Sequence, residues 1–431
     1  MLFSYTIGPY QNIDSQLEYE AASGVLIWGM PYMRVANNMI NQPPLGFFID
    51  ALFFGIFGLS FEVGVSIITL FGLGCTLLVY KLGRDLYGKS TGLFAATIFA
   101  LTPWHIVLSR SFLIDTQCLF FSLLFVLVGI IAIRRDSIML FMVSGTLFAV
   151  ALLTKLFAVF ALIPLSVFYL YHRQKKLNRA STLAAYFLPA ILIFFLWYQI
   201  ISGRGILSAI SHDDFSNYYS LGVAPTAFFV GNFLIDALGI LFVIAAVLSL
   251  LVSFLGRKTF APILPFDMMC LATCVAVISL NIFLAIGLNL GAPYFNPIKY
   301  DYQILPFLSL LAASLIKKTL VLFPSAKSKK INKVLSFVAL AGLVLLTIAM
   351  FLNMNYMHTK STWDHILFKV EIERNVGYSL VNLSPTIESS ALMGVQYLGF
   401  ALIVLGLVLA IAQAKKNKVI WLRKVMNRPV F

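Results

Sequence analysis

Apolar runs of about 20 residues recur along this chain, separated by short basic stretches. A hydrocarbon bilayer core takes roughly 20 helical residues per crossing. By that measure the pattern predicts eleven membrane spans, at 61–82, 90–108, 116–134, 137–153, 156–172, 182–202, 227–254, 265–290, 302–322, 332–352 and 395–413. Pro44–Gly58, "PLGFFIDALFFGIFG", is apolar but short for a crossing, so it reads as a helix lying in the interface. Ahead of it, Leu17, Ala21, Val25 and Trp28 recur at helical spacing. That pattern predicts an amphipathic helix along the membrane surface.

Composition agrees with this all-α polytopic reading. Of 431 residues 60% are hydrophobic, 14% aromatic and only 11% charged, against about 25% charged in a soluble domain. Cys75, Cys118, Cys270 and Cys274 all lie in apolar runs, where a thiol packs as a small hydrophobe. Residues 1–20 lack the basic start and apolar core of a cleavable signal.

The net charge of +14 fits basic loops on the cytoplasmic side better than a nucleic-acid surface. With residues 1–60 outside, the inner connections hold "KLGRDLYGK", Arg134–Arg135, "HRQKKLNR", "GRK", the stretch Lys317–Lys333 and the tail from Lys415. Together these carry 23 of the 31 Lys and Arg. The asymmetry predicts an N-terminus outside and a C-terminus in the cytoplasm, at the cell membrane or, in a eukaryote, the ER membrane. The expected organisation is an outer-face segment 1–60, a bundle 61–413 with outer loops 203–226, 291–301 and 354–394, and a basic cytoplasmic tail 414–431. Function is expected on the outer face.

Several polar residues there call for a reason. Asp14, Glu18 and Glu20 crowd into seven positions of a chain with only 17 acids. Asp14 reads either as the N-cap of the surface helix or as a general base aimed at a cavity. In "LSRSFLID", Arg110 either snorkels to headgroups or marks a site, and Asp115 either caps the next helix or holds Arg110 or a sugar hydroxyl. Lys155, in "LLTKLFAVF", is a lone cation between two apolar helices that either snorkels or holds an anionic ligand. "NPIKYDYQILP" brings Lys299, Tyr300, Asp301 and Tyr302 to the mouth of a span, and "SHDDFSNYY" reads as a solvated acidic loop. His358 and His365 form no metal signature, and Asn382–Ser384 is a glycosylation sequon with a Pro after it.

An acid opening a surface helix, a following "GMPY", then "NQPPLG", "GRDLYGKSTGLFAATIFALTPWHIVLSRSFLID" and "LLTKLFA" together resemble the GT-C glycosyltransferases. The likeness is greatest to the protein O-mannosyltransferase and lipid A aminoarabinose transferase families. It is strong over residues 12–165 and fair at "KYDYQILPFLSLLAAS". It implies a GT-C bundle of about eleven transmembrane helices with juxtamembrane helices outside. In those families an Asp-Glu pair sits on the first outer helix, and its Asp deprotonates the acceptor. Asp14 falls on that Asp, while Ser15 stands where the Glu would be and Glu18 follows one turn later. Gln42 stands where relatives often carry a basic residue that touches the donor phosphate. Arg110, Lys155 or Lys299, with Tyr300 nearby, would then supply that contact, and Asp115 falls on an acidic position of the second outer turn. Relatives carry one further span before the acidic loop, whereas Asp14 is the fourteenth residue here.

The resemblance implies an inverting transfer of a hexose such as mannose from a polyprenyl- or dolichyl-phosphate donor to a protein or glycan acceptor. One carboxylate base and a charge-stabilised phosphate leaving group suffice, so no second nucleophilic carboxylate, metal or cofactor is expected. Tyr218, Tyr219, Tyr294 and Trp363 are candidates for stacking on sugar or acceptor. A transporter would show internal repeats and broken helices at the membrane centre, and the sequence shows no repeat. A non-catalytic protein on the same fold would be consistent with Ser15 and Gln42.

Overall fold

The computed structural model describes residues 13–34, 37–40, 42–172, 179–202, 240–255, 264–287 and 301–322. The expected spans 332–352 and 395–413, the loops 203–226, 291–300 and 354–394, and Lys299 and Tyr300 lie outside the described residues.

The described chain is helical. Helices α1 (Ile13–Trp28) and α2 (Leu45–Phe57) pack together and are joined through a two-stranded antiparallel turn, β1 (Tyr32–Met33) with β2 (Asn38–Met39), which pairs Tyr32 with Met39. Both segments are helical as expected, with a correction to which positions of α1 are buried. On α1 the buried positions include Ser15, Glu18, Ala21, Ala22 and Val25, while Trp28 is exposed. Ser15 and Glu18 are enclosed by the bundle, where Glu18 accepts the Ile114 N–H, while Gln16 between them is exposed.

Exposed on this pair are Leu26, Ile27, Trp28 and Met30 from α1 and its end, and Leu52, Ile56, Phe57 and Leu59 from α2 and its end. Large apolar side chains left exposed in such number fit burial in lipid. The inner side, with Phe47, Phe54, Phe112 and Ile114, packs on the bundle.

The bundle begins with α3 (Phe61–Tyr87), whose N-cap Ser60 accepts a hydrogen bond from the Val63 N–H at 3.2 Å. It turns at Gly88, at φ +106°, into α4 (Lys89–Leu101). These two helices approach closely because Gly83 faces Gly92: a Cβ on Gly83 would meet the Gly92 Cα at 2.7 Å. Small residues take this place between helices in lipid, where no hydrophobic drive holds helices together.

The predicted span 90–108 is broken. Helix α4 ends at Thr102 and a short α5 (Pro103–Leu108) follows, since Pro103 lacks an N–H and disfavours helical geometry at Thr102. Next come α6 (Asp115–Arg135) and α7 (Ile138–Thr154), linked through the left-handed Asp136. Lys155 is extended, and the predicted span 156–172 starts as a 3-10 turn, Leu156–Ala161, before α8 (Leu162–His172).

Then follow α9 (Arg179–Ser202), α10 (Ile240–Leu255), α11 (Leu264–Gly287), a 3-10 turn Asp301–Ile304 and α12 (Leu305–Leu322). Helix α9 packs on α7, α10 on α12, α11 on α8, and α12 on α4. Among the described residues, α3 and α6 are long and apolar enough to cross a membrane, and shorter apolar helices surround them. All four cysteines are free and buried, as their apolar settings suggested.

Candidate active site

The site is built around the first turn of α6, where the sequence reads Ile114-Asp115-Thr116-Gln117-Cys118. All five residues are buried, and each meets a different part of the chain. The Ile114 N–H donates to Oε2 of Glu18, on α1, at 2.8 Å. Lys155 Nζ donates to Oδ2 of Asp115 at 2.7 Å. The Thr116 carbonyl accepts from the Cys75 thiol of α3 at 3.7 Å. Gln117 Nε2 donates to Oδ1 of Asp50, on α2, at 2.5 Å. Cys118 Sγ accepts from Gln303 Nε2 at 3.5 Å, at the entry to α12.

Helix N-termini present N–H groups without partners inside the helix and carry partial positive charge. Two carboxylates answer that need here. Asp115 opens the helix itself, and Glu18 accepts the N–H of the preceding residue. Glu18 thereby fixes the helix that carries Asp14 against the turn that carries Asp115.

Asp115 and Lys155 form a desolvated ion pair, their side chains 5% and 7% exposed. The sequence left Asp115 open among a cap, Arg110 and a sugar hydroxyl, and left Lys155 open between snorkelling and a ligand. The structure makes them each other's partner, because the break at Lys155 turns its side chain back into the bundle. Arg110 is half-buried in the turn just before, and burial pulls its guanidinium below its ordinary range. Gln42 is half-buried ahead of α2, with Oε1 enclosed. Asp14 lies in the first described turn of α1, and Glu18 is one turn on.

Three buried groups escaped the sequence reading. Asp50 stands in the middle of an apolar helix, "FFIDALFF", which was itself the available signal. His105, in α5, binds the Tyr302 hydroxyl through Nδ1 at 2.6 Å and Thr76 Oγ1 through Nε2 at 3.2 Å. It thereby ties the start of α12 into the core, and Tyr302, expected at the mouth of a span, is buried instead. Asp267 holds Lys318 at 2.8 Å with both side chains fully buried. The sequence reading had counted Lys318 among inner-loop charges, and the structure corrects this: it is inside the helix bundle.

The family model for dolichyl-phosphate-mannose-protein mannosyltransferase matches residues 41–199. Among solved structures, ArnT of Cupriavidus metallidurans bound to undecaprenyl phosphate superposes with a TM-score of 0.57 at 16% identity. That superposition covers 94% of this chain and 75% of ArnT. The fold is that of the GT-C glycosyltransferases.

The arabinosyltransferase EmbB of Mycobacterium smegmatis shares this GT-C fold at a TM-score of 0.51 and 13% identity. It is covered over 40% of its length and 100% of this chain. Among sequence relatives, YycA of Bacillus subtilis, itself named only provisionally as a mannosyltransferase, is 26% identical over 141 residues. That stretch is 32% of this chain and 21% of YycA. An Aquifex aeolicus protein of no stated function is 28% identical over 173 residues, 40% of this chain and 38% of its own. The chain thus matches less than two fifths of these relatives' length. The matched family region contains α2, α6 and Lys155.

Proposed function

We propose that this chain is an inverting glycosyltransferase. It would move a hexose such as mannose from a polyprenyl- or dolichyl-phosphate carrier to a protein or glycan hydroxyl on the outer face of the membrane. The observation that carries this reading is the α6 turn. It joins, through Glu18, the helix bearing Asp14, and through Asp115, the buried ammonium of Lys155. A base and a cation are thus linked to one rigid turn on the side assigned to the outer face.

In this reading the Asp14 carboxylate takes the acceptor hydroxyl proton. The alkoxide-like oxygen attacks the anomeric carbon as the bond from that carbon to the phosphate oxygen breaks, inverting configuration. The leaving carrier phosphate develops a further negative charge, which Lys155 and Arg110 offset, with Lys299 a third candidate. Asp115 orients Lys155 through the 2.7 Å contact. Preorganised charge in a desolvated site acts more strongly than in water.

The ArnT structure holds undecaprenyl phosphate, which supports a polyprenyl-phosphate donor for this chain too. The matched family's name supports mannose as the first sugar to try. The test is transfer from radiolabelled polyprenyl-phosphate mannose, glucose and aminoarabinose in membranes expressing the chain or its Asp14→Asn form. Transfer from one donor by the first and not the second is the expected result. Transfer by both at equal rate removes Asp14 from the mechanism.

A further inference from the structure

Asp50 and Gln117 meet where α2 crosses the first turn of α6. Both side chains are fully enclosed. Gly46, one turn before Asp50, lets the helices close: a Cβ there would meet Ile114 Cγ2 at 2.8 Å and Gln117 Oε1 at 3.0 Å. Gln117 Nε2 donates to Asp50 Oδ1. The other two polar atoms of the pair, Asp50 Oδ2 and Gln117 Oε1, are both buried with no hydrogen-bond partner among the described residues. A buried polar atom left in that state costs free energy comparable to a lost hydrogen bond. One proton on Asp50 satisfies both, because Oδ2 becomes a donor and Oε1 is an acceptor. A carboxylic acid and a primary amide can pair in this way through two antiparallel hydrogen bonds.

Two further observations favour the protonated form. Burial pushes the Asp50 carboxyl well above the usual carboxylate range, and the Glu18 charge pushes it in the same direction. Glu18, in turn, is the carboxylate that accepts the Ile114 N–H at the N-terminus of α6.

We infer that Asp50 is a positioning residue, held as a neutral acid in a two-way hydrogen-bonded pair with Gln117. The pair docks the interfacial helix α2 onto the turn that presents Asp115 and Lys155. No contact between Asp50 and substrate is required. The pair sets where α2 sits against α6, and so the register of Gly46 and Asp50 against Ile114 and Gln117.

The first test does not depend on any activity. An infrared difference spectrum of purified wild type minus Asp50→Asn should show the carbonyl band of a protonated carboxylic acid at neutral pH. That band should move to higher frequency in Gln117→Ala, where the carbonyl loses its Nε2–H donor and the acid O–H loses its acceptor. Carboxylate bands in place of the acid band, or an acid band unmoved by Gln117→Ala, overturn the paired neutral acid.

The positioning role rests on the glycosyl transfer proposed above and is read separately. Asparagine reproduces both hydrogen bonds, so Asp50→Asn should keep the donor KM within about twofold of wild type. Asp50→Leu should raise the donor KM about tenfold at equal amounts of folded protein, leaving the acceptor KM unchanged. If Asp50→Leu lowers the yield of folded protein yet keeps the wild-type donor KM, the role is structural only and the positioning inference fails. If Asp50→Asn folds but does not restore the donor KM, a negative charge is needed there and the inference fails in the other half.

Discussion

Replacing Lys155 with methionine separates what the ion pair does for folding from what it does for a donor phosphate. The Asp115 Oδ2 to Lys155 Nζ distance is 2.7 Å, and both side chains are more than nine-tenths enclosed. Removing one partner of so buried a pair leaves a desolvated charge behind and costs about 3–5 kcal/mol. Replacing both with apolar residues of similar volume is often neutral. Lys155→Met alone should therefore lose about 3–5 kcal/mol of stability, and Lys155→Met/Asp115→Leu should regain most of it. Thermal unfolding in detergent, followed by a fluorescent thiol probe of the four buried cysteines, reads all three proteins. The coupling between the two single changes should be at least about 2 kcal/mol, as expected for residues in direct contact. Transfer should behave differently: strongly reduced in Lys155→Met and equally reduced in the repaired double variant, because the leaving phosphate loses the Lys155 ammonium and keeps only the remaining cations. A double variant that recovers both stability and transfer would refute the assignment of Lys155 to the donor and reduce the pair to a structural one.

Glu18→Ala strands the buried Ile114 N–H and should cost about 1–3 kcal/mol, whereas Glu18→Gln keeps an acceptor and should cost less; chemical denaturation compares them. Gly145→Ala should destabilise by more than the 1–3 kcal/mol of ordinary overpacking, since the added Cβ would fall on the Tyr186 carbonyl oxygen of α9; melting of the purified variant checks it. Lys318→Met/Asp267→Leu should leave transfer unchanged and stability near wild type, while Lys318→Met alone should lose about 3–5 kcal/mol. Tyr302→Phe should lower stability by about 1 kcal/mol through loss of the His105 hydrogen bond, and a thermal scan that shows no change would argue against that contact.

Much of the bundle was legible in the apolar runs, because span length is a property of one segment and the bilayer alone. The helices described at 61–87, 115–135, 138–154 and 264–287 track the predicted spans to within a few residues, except that 61–87 continues five residues past its predicted end. The break at Thr102 was readable from Pro103 and was passed over. What stayed hidden were partnerships. Lys155 and Asp115 are 40 positions apart, and Asp50 and Gln117 are 67 apart. No periodicity of a single helix carries information about which distant residue faces it. Each charge in an apolar run could be singled out as costly, but whether it serves a ligand, a headgroup or another side chain depends on packing. Lys318 shows the same limit in reverse: a count of basic residues placed it with the inner loop, and only packing shows that it is enclosed.

The two buried ion pairs differ in a way that bears on function. Lys318 Nζ donates to Asp267 Oδ2, to the Ser249 carbonyl at 2.9 Å, to Ser249 Oγ at 2.6 Å and to Ser314 Oγ at 3.1 Å. Asp267 also accepts from Tyr87 at 3.0 Å and Ser253 at 2.5 Å. An ammonium has three protons to give, so Lys318 is saturated by its own chain and has nothing left for a ligand. Its neighbours come from α3, α10, α11 and α12, the cytoplasmic half of the bundle in the orientation expected from the charge pattern. That network can only hold helices together. The α6 turn is different in kind. Its five residues each meet a different segment, and two of those segments, α1 and α2, are the helices that carry Asp14 and Asp50. The proposed reaction would need α1 and α2 held in register with the turn that carries Asp115 and with Lys155. Short polar contacts at one helix N-terminus achieve that, because they are directional where apolar packing in lipid is not.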